Sequence, residues 1–305
     1  MPSKFKTFLN NPLYFITSPA SKGMLDWVPD SLYLRVLYRA TIKKSCNLKH
    51  PKGYNEKLQW LKLNDRKPEY STMVDKYEVR RLIADTLGEE YLIPCIGLYE
   101  NTEEIDFKKL PDQFVLKCTH DSGSVEICTD KKKFDFMAAK ERLKNAMKKN
   151  YYRTYREWPY KNVKPRIIAE QYMVDESGDD LKDYKIMCFN GTAKIIETHE
   201  NRFTKGKQHT QTFYDRDWNK LSIIQEGLPT VEEERQKPKQ MNQMIEFSER
   251  LASEMYHARV DWYLINGKIY FGEITFYDGS GFEAFQREED DYFLGNLIQL
   301  PTDVS

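Results

Sequence analysis

The chain has 305 residues, of which 40% are hydrophobic and 13% aromatic. This content is too apolar for a disordered chain and is ample for a folded core. Basic residues (Lys+Arg) and acidic residues (Asp+Glu) each number 47. The chain therefore lacks the overall positive charge that gathers nucleic acid, and we expect no nucleic-acid partner.

No apolar run approaches the roughly 20 residues that a membrane-spanning helix needs. The first residues, Met-Pro-Ser-Lys-Phe-Lys, lack the apolar core and cleavage pattern of a signal peptide. We therefore expect a cytoplasmic protein without a transmembrane segment. The five cysteines are odd in number and contain no Cys-x-x-Cys pair, which predicts reduced thiols in or near the core.

Helices are predicted in the first part of the chain. Runs with helical periodicity at residues 31–41 and 54–63 are separated by prolines. A further helix is predicted from Asp75 to Gly88, since glycine commonly follows a helix end. A strand at residues 91–98 comes next.

The remaining pattern alternates short strands with two helices, predicted at 136–149 and 238–255. Asn190-Gly191 and Asn266-Gly267 are hairpin signals. The predicted strands are 114–118, 125–128, 166–173, 183–189, 193–198, 211–214, 259–265 and 268–275. This organisation predicts an α+β protein with antiparallel sheets.

The last predicted hairpin carries two carboxylates, Asp261 and Glu273. Acidic side chains in apolar strands need a compensating cation, and phosphate-bound Mg²⁺ takes one or two carboxylates. Arg259 shares a strand face with Asp261, because side chains alternate with period two. Its guanidinium could contact phosphate, and a plain surface ion pair with Asp261 is the alternative.

A regular two-residue turn at Asn266-Gly267 would pair Asp261 with Gly272. Glu273 would then point to the opposite face of the sheet. A common metal site therefore requires a β-bulge or a wider turn in this hairpin.

Three other segments contain residues that could bind a nucleotide. Lys117 ends a strand and precedes a small turn whose backbone N–H groups could hold phosphate, although such turns are usually only turns. The turn residues are Asp121, Ser122, Gly123 and Ser124. Lys185 lies in an apolar strand and needs a phosphate, a partner or solvent. A base could bond to the strand exit formed by Glu170, Gln171, Tyr172 and Met173.

The order of these motifs resembles the ATP-grasp fold. The motifs are Asp75-Lys76, Phe114-Val115-Leu116-Lys117, Ser122-Gly123-Ser124, Glu170-Gln171-Tyr172, Asp183-Tyr184-Lys185, Arg259-Val260-Asp261 and Glu273-Ile274-Thr275-Phe276. Within that fold the chain looks like the TupA-like subfamily, named for teichuronopeptide biosynthesis. The segments that carry this likeness are Asn55-Glu56-Lys57-Leu58-Gln59-Trp60, Tyr91-Leu92-Ile93-Pro94 and Gly272-Glu273-Ile274-Thr275-Phe276.

The resemblance implies two α+β lobes with antiparallel sheets that grip ATP, after an N-terminal helical segment. The implied division is 1–65 for the helical segment, 66–165 for the N-lobe with its phosphate loop, and 166–305 for the C-lobe with its metal site. ATP and Mg²⁺ are the implied cofactors.

The resemblance also implies roles for single residues. Lys117 and Lys185, with Lys76, would hold the phosphates under a lid formed by the 121–125 loop, and residues 170–173 would hold adenine. Arg259 would contact the transferred γ-phosphoryl group. Asp261 and Glu273 would bind the metal, with Thr275 acting through water because the family pattern usually has Asn there.

The implied activity is ligation, in which a carboxylate attacks ATP and an amine then attacks the acyl phosphate. Family membership suggests a small-molecule or saccharide carboxylate and an amine, joined in the biosynthesis of cell-surface or capsular polysaccharide alongside polysaccharide-assembly enzymes. Glu200, Arg202 and residues 151–160 are predicted to help form the acceptor site, with Arg202 in a catalytic role.

Two alternatives remain from the residues. Asp215-Arg216-Asp217 spells a D-x-D pattern, which favours a metal-dependent glycosyltransferase, although such patterns are frequent in turns. A kinase, or a nucleotide-binding protein without turnover, would use the same ATP site.

Overall fold

The computed structural model describes residues 13–175, 181–201, 206, 208–233 and 235–301. This described part contains α1 (Tyr14–Ser21), α2 (Asp30–Thr41), α3 (Tyr54–Asn64), α4 (Glu69–Val74), α5 (Val79–Thr86), α6 (Phe136–Met147), α7 (Tyr152–Tyr155), α8 (Met241–Ala252) and α9 (Glu288–Leu297). The strands are β1 (Cys95–Tyr99), β2 (Phe114–Cys118), β3 (Val125–Cys128), β4 (Ile167–Gln171), β5 (Lys182–Phe189), β6 (Thr192–Glu200), β7 (Thr210–Asp215), β8 (His257–Ile265) and β9 (Lys268–Thr275).

The chain divides into two compact units. The first contains residues up to Cys46 together with Gln59–Val79 and Pro94–Tyr172. The second contains Asn47–Leu58, Arg80–Ile93 and the chain from Met173 onwards. The predicted α+β organisation with antiparallel sheets is confirmed, because each unit contains one such sheet.

The first sheet has the strand order β1-β4-β2-β3 and is antiparallel throughout. Alternation along β2 and β4 gives this sheet two different faces. One face packs against α6, and its core contains Phe114, Leu116, Cys118, Leu143, Ala146, Ile167 and Ala169. The other face carries Lys117 and Glu170.

The second sheet has the strand order β7-β6-β5-β8-β9. Four buried aliphatic residues align across β6, β5, β8 and β9, since Ile186 pairs with Ile196 and Val260, and Val260 pairs with Ile274. Helix α8 covers this apolar face, where the Trp262 indole N–H donates to the Ser248 hydroxyl over 2.8 Å. The opposite face of the sheet is therefore the one that carries charged side chains.

Two local predictions differ from the structure. The strand predicted at 91–98 begins only at Cys95, after Pro94, because proline cannot donate a ladder hydrogen bond. Residues Glu89–Tyr91 form a 3-10 turn instead. The predicted thiols are free, and four are buried, whereas Cys95 is exposed at its strand start.

The units also divide the chain differently from the predicted lobes. Strand β4 lies beyond residue 165 but pairs with β1 and β2, so the first unit extends to Tyr172. The helical residues up to Cys46 belong to this unit as well. Antiparallel hydrogen bonding joins strands that are distant in sequence, and the sequence pattern alone does not specify the partners.

No helix within the described residues has both the length and the apolar character needed to cross a bilayer.

Candidate functional site

A row of charged residues crosses the second sheet. Lys185 on β5 pairs with Glu197 on β6 and with Asp261 on β8, and Asp261 pairs with Glu273 on β9. Directly opposite residues share a face of an antiparallel sheet. These four side chains therefore lie side by side on the face opposite α8, and we call them the charged row.

A β-bulge brings Glu273 into this row. The turn residues Asn266 and Gly267 have φ values of 50° and 77°, as a two-residue type I′ hairpin requires. The register then shifts beyond Trp262, so that Asp261 pairs with Glu273 and Gly272 is the extra residue. A Cβ on Gly272 would lie 3.0 Å from the Asp261 carbonyl oxygen. The predicted requirement for a bulge is met by this irregularity.

Asp261 is held by two cations. Its carboxylate accepts hydrogen bonds from Arg259 Nε at 2.8 Å and from Lys185 Nζ at 2.5 Å, and Lys185 also pairs with Asp183 at 2.8 Å. Burial alone would raise the pKa of Asp261, but the charges of Arg259 and Lys185 hold this pKa below its usual value. Asp261 is therefore ionised at neutral pH.

Arg259 is shared among several acceptors. Besides Asp261, its guanidinium donates to the Asp278 carboxylate and lies 3.8 Å from Glu273. The Thr275 hydroxyl lies 3.5 Å from Arg259 Nη2 and 3.4 Å from Glu273 Oε1. Thr275 thus lies with the predicted metal and phosphate ligands, on the same face of the hairpin.

Carboxylates outnumber cations around the charged row. Six acidic residues surround Lys185 and Arg259, and they are Asp183, Glu197, Asp261, Glu273, Asp278 and Glu283. Burial, with neighbouring negative charge, raises the pKa of Asp278 to about 6 and the pKa of Glu283 to about 8. The site therefore carries excess negative potential, which a divalent cation would offset.

The donor set fits Mg²⁺ in one respect. Asp261 and Glu273 present carboxylate oxygens from paired positions, and Mg²⁺ is often held by one or two carboxylates together with substrate phosphates. Within the described residues, no group of three or more His, Cys, Asp or Glu is arranged to hold a metal ion. This part of the chain therefore does not form a metal site from protein ligands alone.

A chain of polar contacts that sequence reasoning missed begins at Glu197. His199 Nε2 bonds to the Glu197 carboxylate, and His199 Nδ1 lies 2.8 Å from His209 Nε2. Gln211 also donates to Glu197 over 2.9 Å. Period-two alternation places Glu197 and His199 on one face of β6, and that is the signal that could have found them.

The first unit contains most of the residues predicted to bind the nucleotide, whereas Met173 and Lys185 belong to the second. Lys117 Nζ lies 2.7 Å from Glu170 Oε2, across adjacent strands. Lys76 donates through its backbone N–H to the Thr119 carbonyl at 3.1 Å and through Nζ to the Asp121 carbonyl. The predicted phosphate loop and both of its lysines thus belong to one unit.

The loop itself is compact at its base. The Ser124 hydroxyl donates to the Asp121 carboxylate, and Cys118 N–H donates to the Ser124 carbonyl at 3.1 Å. Gly123 adopts φ 94°, and among the described residues no atom beyond its chain neighbours lies within 4 Å of where its Cβ would be. This tip is open and conformationally suited to glycine.

The strand exit predicted to hold adenine follows β4. Glu170 is buried and Gln171, the last residue of β4, is exposed. Gln171 N–H donates to the Pro94 carbonyl at 3.0 Å, while Tyr172 and Met173 are half-buried beyond the strand.

The predicted acceptor residues are only partly described. Arg202 lies outside the described residues. Glu200 forms a two-point ion pair with Arg235, with both contacts at 2.8 Å. Residues 151–160 lie in the first unit and Glu200 lies in the second.

Asp215-Arg216-Asp217 forms a turn. Asp215 Oδ1 accepts backbone N–H groups of Asp217 at 2.9 Å and of Asn219 at 2.8 Å, and Asp215 Oδ2 accepts from the Asn219 side chain at 2.8 Å. Arg216 pairs with Glu249. Local hydrogen bonds thus account for Asp215, and the geometry does not favour a glycosyltransferase metal site.

Comparison with known proteins identifies the family of the chain. A family model described as TupA-like ATPgrasp matches residues 56–299, which is most of the chain. Together with the two antiparallel sheets, this defines an ATP-grasp protein. The chain belongs to the TupA-like ATP-grasp family. No curated protein matches the chain.

Solved structures of ATP-grasp ligases are similar to the chain at low identity. D-alanine–D-alanine ligase from Helicobacter pylori shares 13% identity with a TM-score of 0.40, over 75% of this chain and 61% of that one. The Bacillus anthracis enzyme shares 18% with a TM-score of 0.38, over 67% and 57%.

The ATP-grasp ligase PsnB, complexed with a minimal precursor, shares 9% with a TM-score of 0.42, over 79% and 65%. The chain thus spans less than two thirds of each of these solved chains. At such TM-scores these similarities add nothing to the family assignment.

Proposed function

We propose that the protein is an ATP- and Mg²⁺-dependent ligase that joins a carboxylate to an amine through an acyl phosphate. Family membership supports the class of enzyme. The charged row, with Lys185, Asp261 and Glu273 in register and Arg259 beside them, is the observation that carries the proposal. Its cations suit phosphate, and its carboxylates suit a divalent ion.

The first unit supplies most of the residues that we assign to nucleotide binding, and Met173 belongs to the second. Lys117 and Lys76 neutralise phosphate charge, and the N–H groups of the 121–124 loop approach phosphate oxygens closely because Gly123 adds no side chain. Glu170 to Met173 recognise adenine. The ion pair between Lys117 and Glu170 places a proposed phosphate ligand next to a proposed adenine ligand.

Asp261 and Glu273 are the residues that we assign to Mg²⁺, with Thr275 acting through water. The bound ion would supply charge neutralisation at the phosphates. The raised pKa values of Asp278 and Glu283, caused first by burial, support a site that gains stability when positive charge is added.

Arg259 and Lys185 would change partners when the substrates bind. In the structure both cations are bonded to Asp261. If Asp261 held Mg²⁺, part of the hydrogen-bonding capacity of Arg259 and Lys185 would be available to the γ-phosphoryl group. The two side chains then stabilise the charge that develops as the carboxylate attacks phosphorus.

The second step requires a neutral amine. An ammonium ion has no lone pair, so a proton must leave before the nitrogen attacks the acyl carbon. We assign this proton to the His199–His209 pair. His199 Nε2–H donates to Glu197, so the proton would be held between His209 Nε2 and His199 Nδ1. The buried Glu197 carboxylate would stabilise the imidazolium that forms.

For substrates, we propose an amino acid or amine and a carboxylated sugar or peptide used in cell-surface or capsular polysaccharide. TupA-like membership supports this choice. Residues 151–160, with Glu200 and Arg202, are the proposed acceptor residues, and the cytoplasm, where ATP is made available, is the proposed compartment. The proposed division of labour is phosphate loop in the N-lobe and metal site in the C-lobe.

The test is the substrate dependence of ATP cleavage. Purified protein with ATP and Mg²⁺ should release ADP and phosphate only when both a carboxylate and an amine are present. Release that needs the carboxylate alone, with a stable phosphorylated product, would instead establish a kinase. Turnover that is unaffected by either substrate would contradict ligation.

A further inference from the structure

Exposed apolar side chains are concentrated near the start of the described chain. Among described residues, thirteen large hydrophobic side chains are exposed, and six of these lie between Tyr14 and Val36. The six are Tyr14, Phe15, Met24, Trp27, Leu32 and Val36. Trp27 is 80% exposed and Met24 is 64% exposed, which is unusual for residues of this size.

Helix α2 shows how these side chains are organised. Its inward face buries Tyr33, Leu34, Leu37 and Tyr38. Its outward face contains Leu32 and Val36 at spacing i,i+4, and Arg35 and Arg39 at the same spacing. We call Met24, Trp27, Leu32, Arg35, Val36 and Arg39 the N-terminal surface.

The charge of this segment is one-sided. Residues 13–44 contain five basic side chains, Lys22, Arg35, Arg39, Lys43 and Lys44, and two acidic ones, Asp26 and Asp30. Both acids already have arginine partners elsewhere in the first unit, because Asp26 pairs with Arg153 at 2.9 Å and Asp30 with Arg66 at 2.8 Å. The segment is therefore locally positive in a chain with no net charge.

Hydrogen bonds hold the 13–44 segment in one orientation. The Tyr33 hydroxyl donates to the Thr154 carbonyl at 2.9 Å, the Tyr152 hydroxyl donates to Asp30, and Arg156 donates to the Leu25 carbonyl at 2.7 Å. These bonds hold the buried side of α2 against α7. The outward side is thus presented on a fixed support.

We propose that the N-terminal surface docks on a membrane that contains anionic lipid. The indole N–H of Trp27 donates to the Met24 carbonyl at 3.1 Å, so the ring can enter the headgroup region without leaving a donor unpaired. Exposed tryptophan and aliphatic side chains beside arginines are typical of interfacial segments. Lipid phosphates would supply a counter-charge to Arg35 and Arg39 on this surface.

A dry protein interface suits this surface less well. Leu32 and Val36 alternate with Arg35 and Arg39 around the helix, whereas the buried centre of a protein interface is depleted in charge. No carboxylate contacts Arg35 within the described residues, and the Arg39 guanidinium bonds to the Lys43 carbonyl at 2.8 Å. Covering these side chains with a second protein would bury guanidinium groups, whereas lipid headgroups leave them solvated.

The experiment is co-sedimentation of the full chain with phosphatidylcholine vesicles that contain or lack phosphatidylglycerol. We expect binding to the anionic vesicles that weakens with added salt, and little binding to the neutral ones. Removing both arginines with R35Q/R39Q should weaken vesicle binding about tenfold or more, because each basic side chain near an anionic membrane adds to the binding free energy. The matched control K132Q/K133Q removes two exposed lysines from another place and should leave binding unchanged.

Tryptophan emission gives a second readout. Vesicle binding should shift the emission of the wild type to shorter wavelength, and Trp27→Phe should remove this shift while retaining most of the binding. Met137→Ser, at an exposed apolar residue of α6, should match the wild type, whereas M24S/W27S should bind weakly.

Three results would overturn the proposal. They are the absence of binding to anionic vesicles, equal losses for R35Q/R39Q and K132Q/K133Q, and a concentration-dependent dimer that M24S/W27S abolishes. The last result would identify the N-terminal surface as a contact between copies of the chain. None of these readouts depends on the proposed ligase activity.

Discussion

Glu273 differs from the rest of the charged row in its exposure. Its side chain is 39% exposed, compared with 5% for Asp261. Arg259 approaches it only to 3.8 Å, so Glu273 retains more capacity to accept a new ligand than Asp261 does. This side chain is therefore the most direct place to test the metal assignment.

Glu273→Gln should lower ATP turnover on the order of 100-fold or more, because one anionic oxygen ligand is lost. The fold should persist, since the amide has the same shape and the position is partly exposed. Steady-state turnover and thermal unfolding are the measurements. Glu246→Gln, at an exposed position of α8, is the control, and near-normal turnover in Glu273→Gln would rule out the metal role.

Lys117 tests the nucleotide assignment separately. Lys117→Gln keeps a hydrogen-bond donor but removes the charge, and we expect MgATP to bind about tenfold more weakly, since a charge-assisted hydrogen bond contributes about 1.5–3 kcal/mol. Titration calorimetry measures this affinity. Lys108→Gln, at an exposed position, serves as the control. Unchanged affinity in Lys117→Gln would place the phosphates elsewhere.

His257 gives a pH prediction. Its Nδ1–H donates to the Cys188 carbonyl at 2.9 Å, so Nε2 accepts from the Tyr54 hydroxyl at 3.0 Å and the ring is neutral. Burial lowers the pKa of His257 to about 3, compared with about 6.5 in an unfolded chain. Between these values the unfolded state binds more protons, so the free energy of unfolding falls as the pH falls.

Urea unfolding from pH 7 to pH 4 measures this effect. The wild type should lose more stability over that interval than His257→Gln, because glutamine has no proton to bind. His50→Gln, at an exposed histidine, should behave as the wild type does. Parallel pH dependence in wild type and His257→Gln would show that His257 does not contribute.

At the scale of secondary structure, the β8–β9 hairpin determines the site. The alternation of buried residues along β9 changes phase at Gly272, because Ile269 and Phe271 are followed by Ile274 and Phe276. A one-residue slip of this kind is what a bulge produces. The bulge was therefore accessible to sequence reasoning through the apolar pattern as well as through the acidic residues.

Gly272→Ala tests the importance of that bulge. The new Cβ would lie 3.0 Å from the Asp261 carbonyl oxygen, so the Asp261 backbone must move by a few tenths of an ångström. We expect a loss of about 1–3 kcal/mol in the free energy of unfolding together with reduced turnover, because Asp261 and Glu273 are displaced. Full stability with full turnover would mean that the hairpin geometry is not a determinant of the site.

The strands and the hairpin turns were predictable because they depend on local alternation and on Asn-Gly turns. The partners of the charged side chains were not. Asp278 reaches Arg259 from a short turn in which Gly279 and Ser280 have positive φ values of 50° and 55°. His209 reaches His199 from the start of β7. Such contacts follow from strand pairing and chain reversal, which no single segment encodes.

At the scale of the whole molecule, the charge is balanced overall but unevenly distributed. Carboxylates exceed cations around the charged row, while residues 13–44 have an excess of basic side chains. The zero net charge conceals both features. Composition gives only this overall balance, and it could not locate either feature.

The measurement that most directly tests the ligase assignment combines ATP, candidate sugar acids labelled with ¹⁸O in the carboxylate, and candidate amines. Mass spectrometry should detect a condensed product, and the released phosphate should carry one ¹⁸O atom from the carboxylate, because the acyl phosphate breaks at its acyl carbon. Phosphate without label, or a stable phosphorylated acid that survives in the presence of the amine, would contradict ligation through an acyl phosphate.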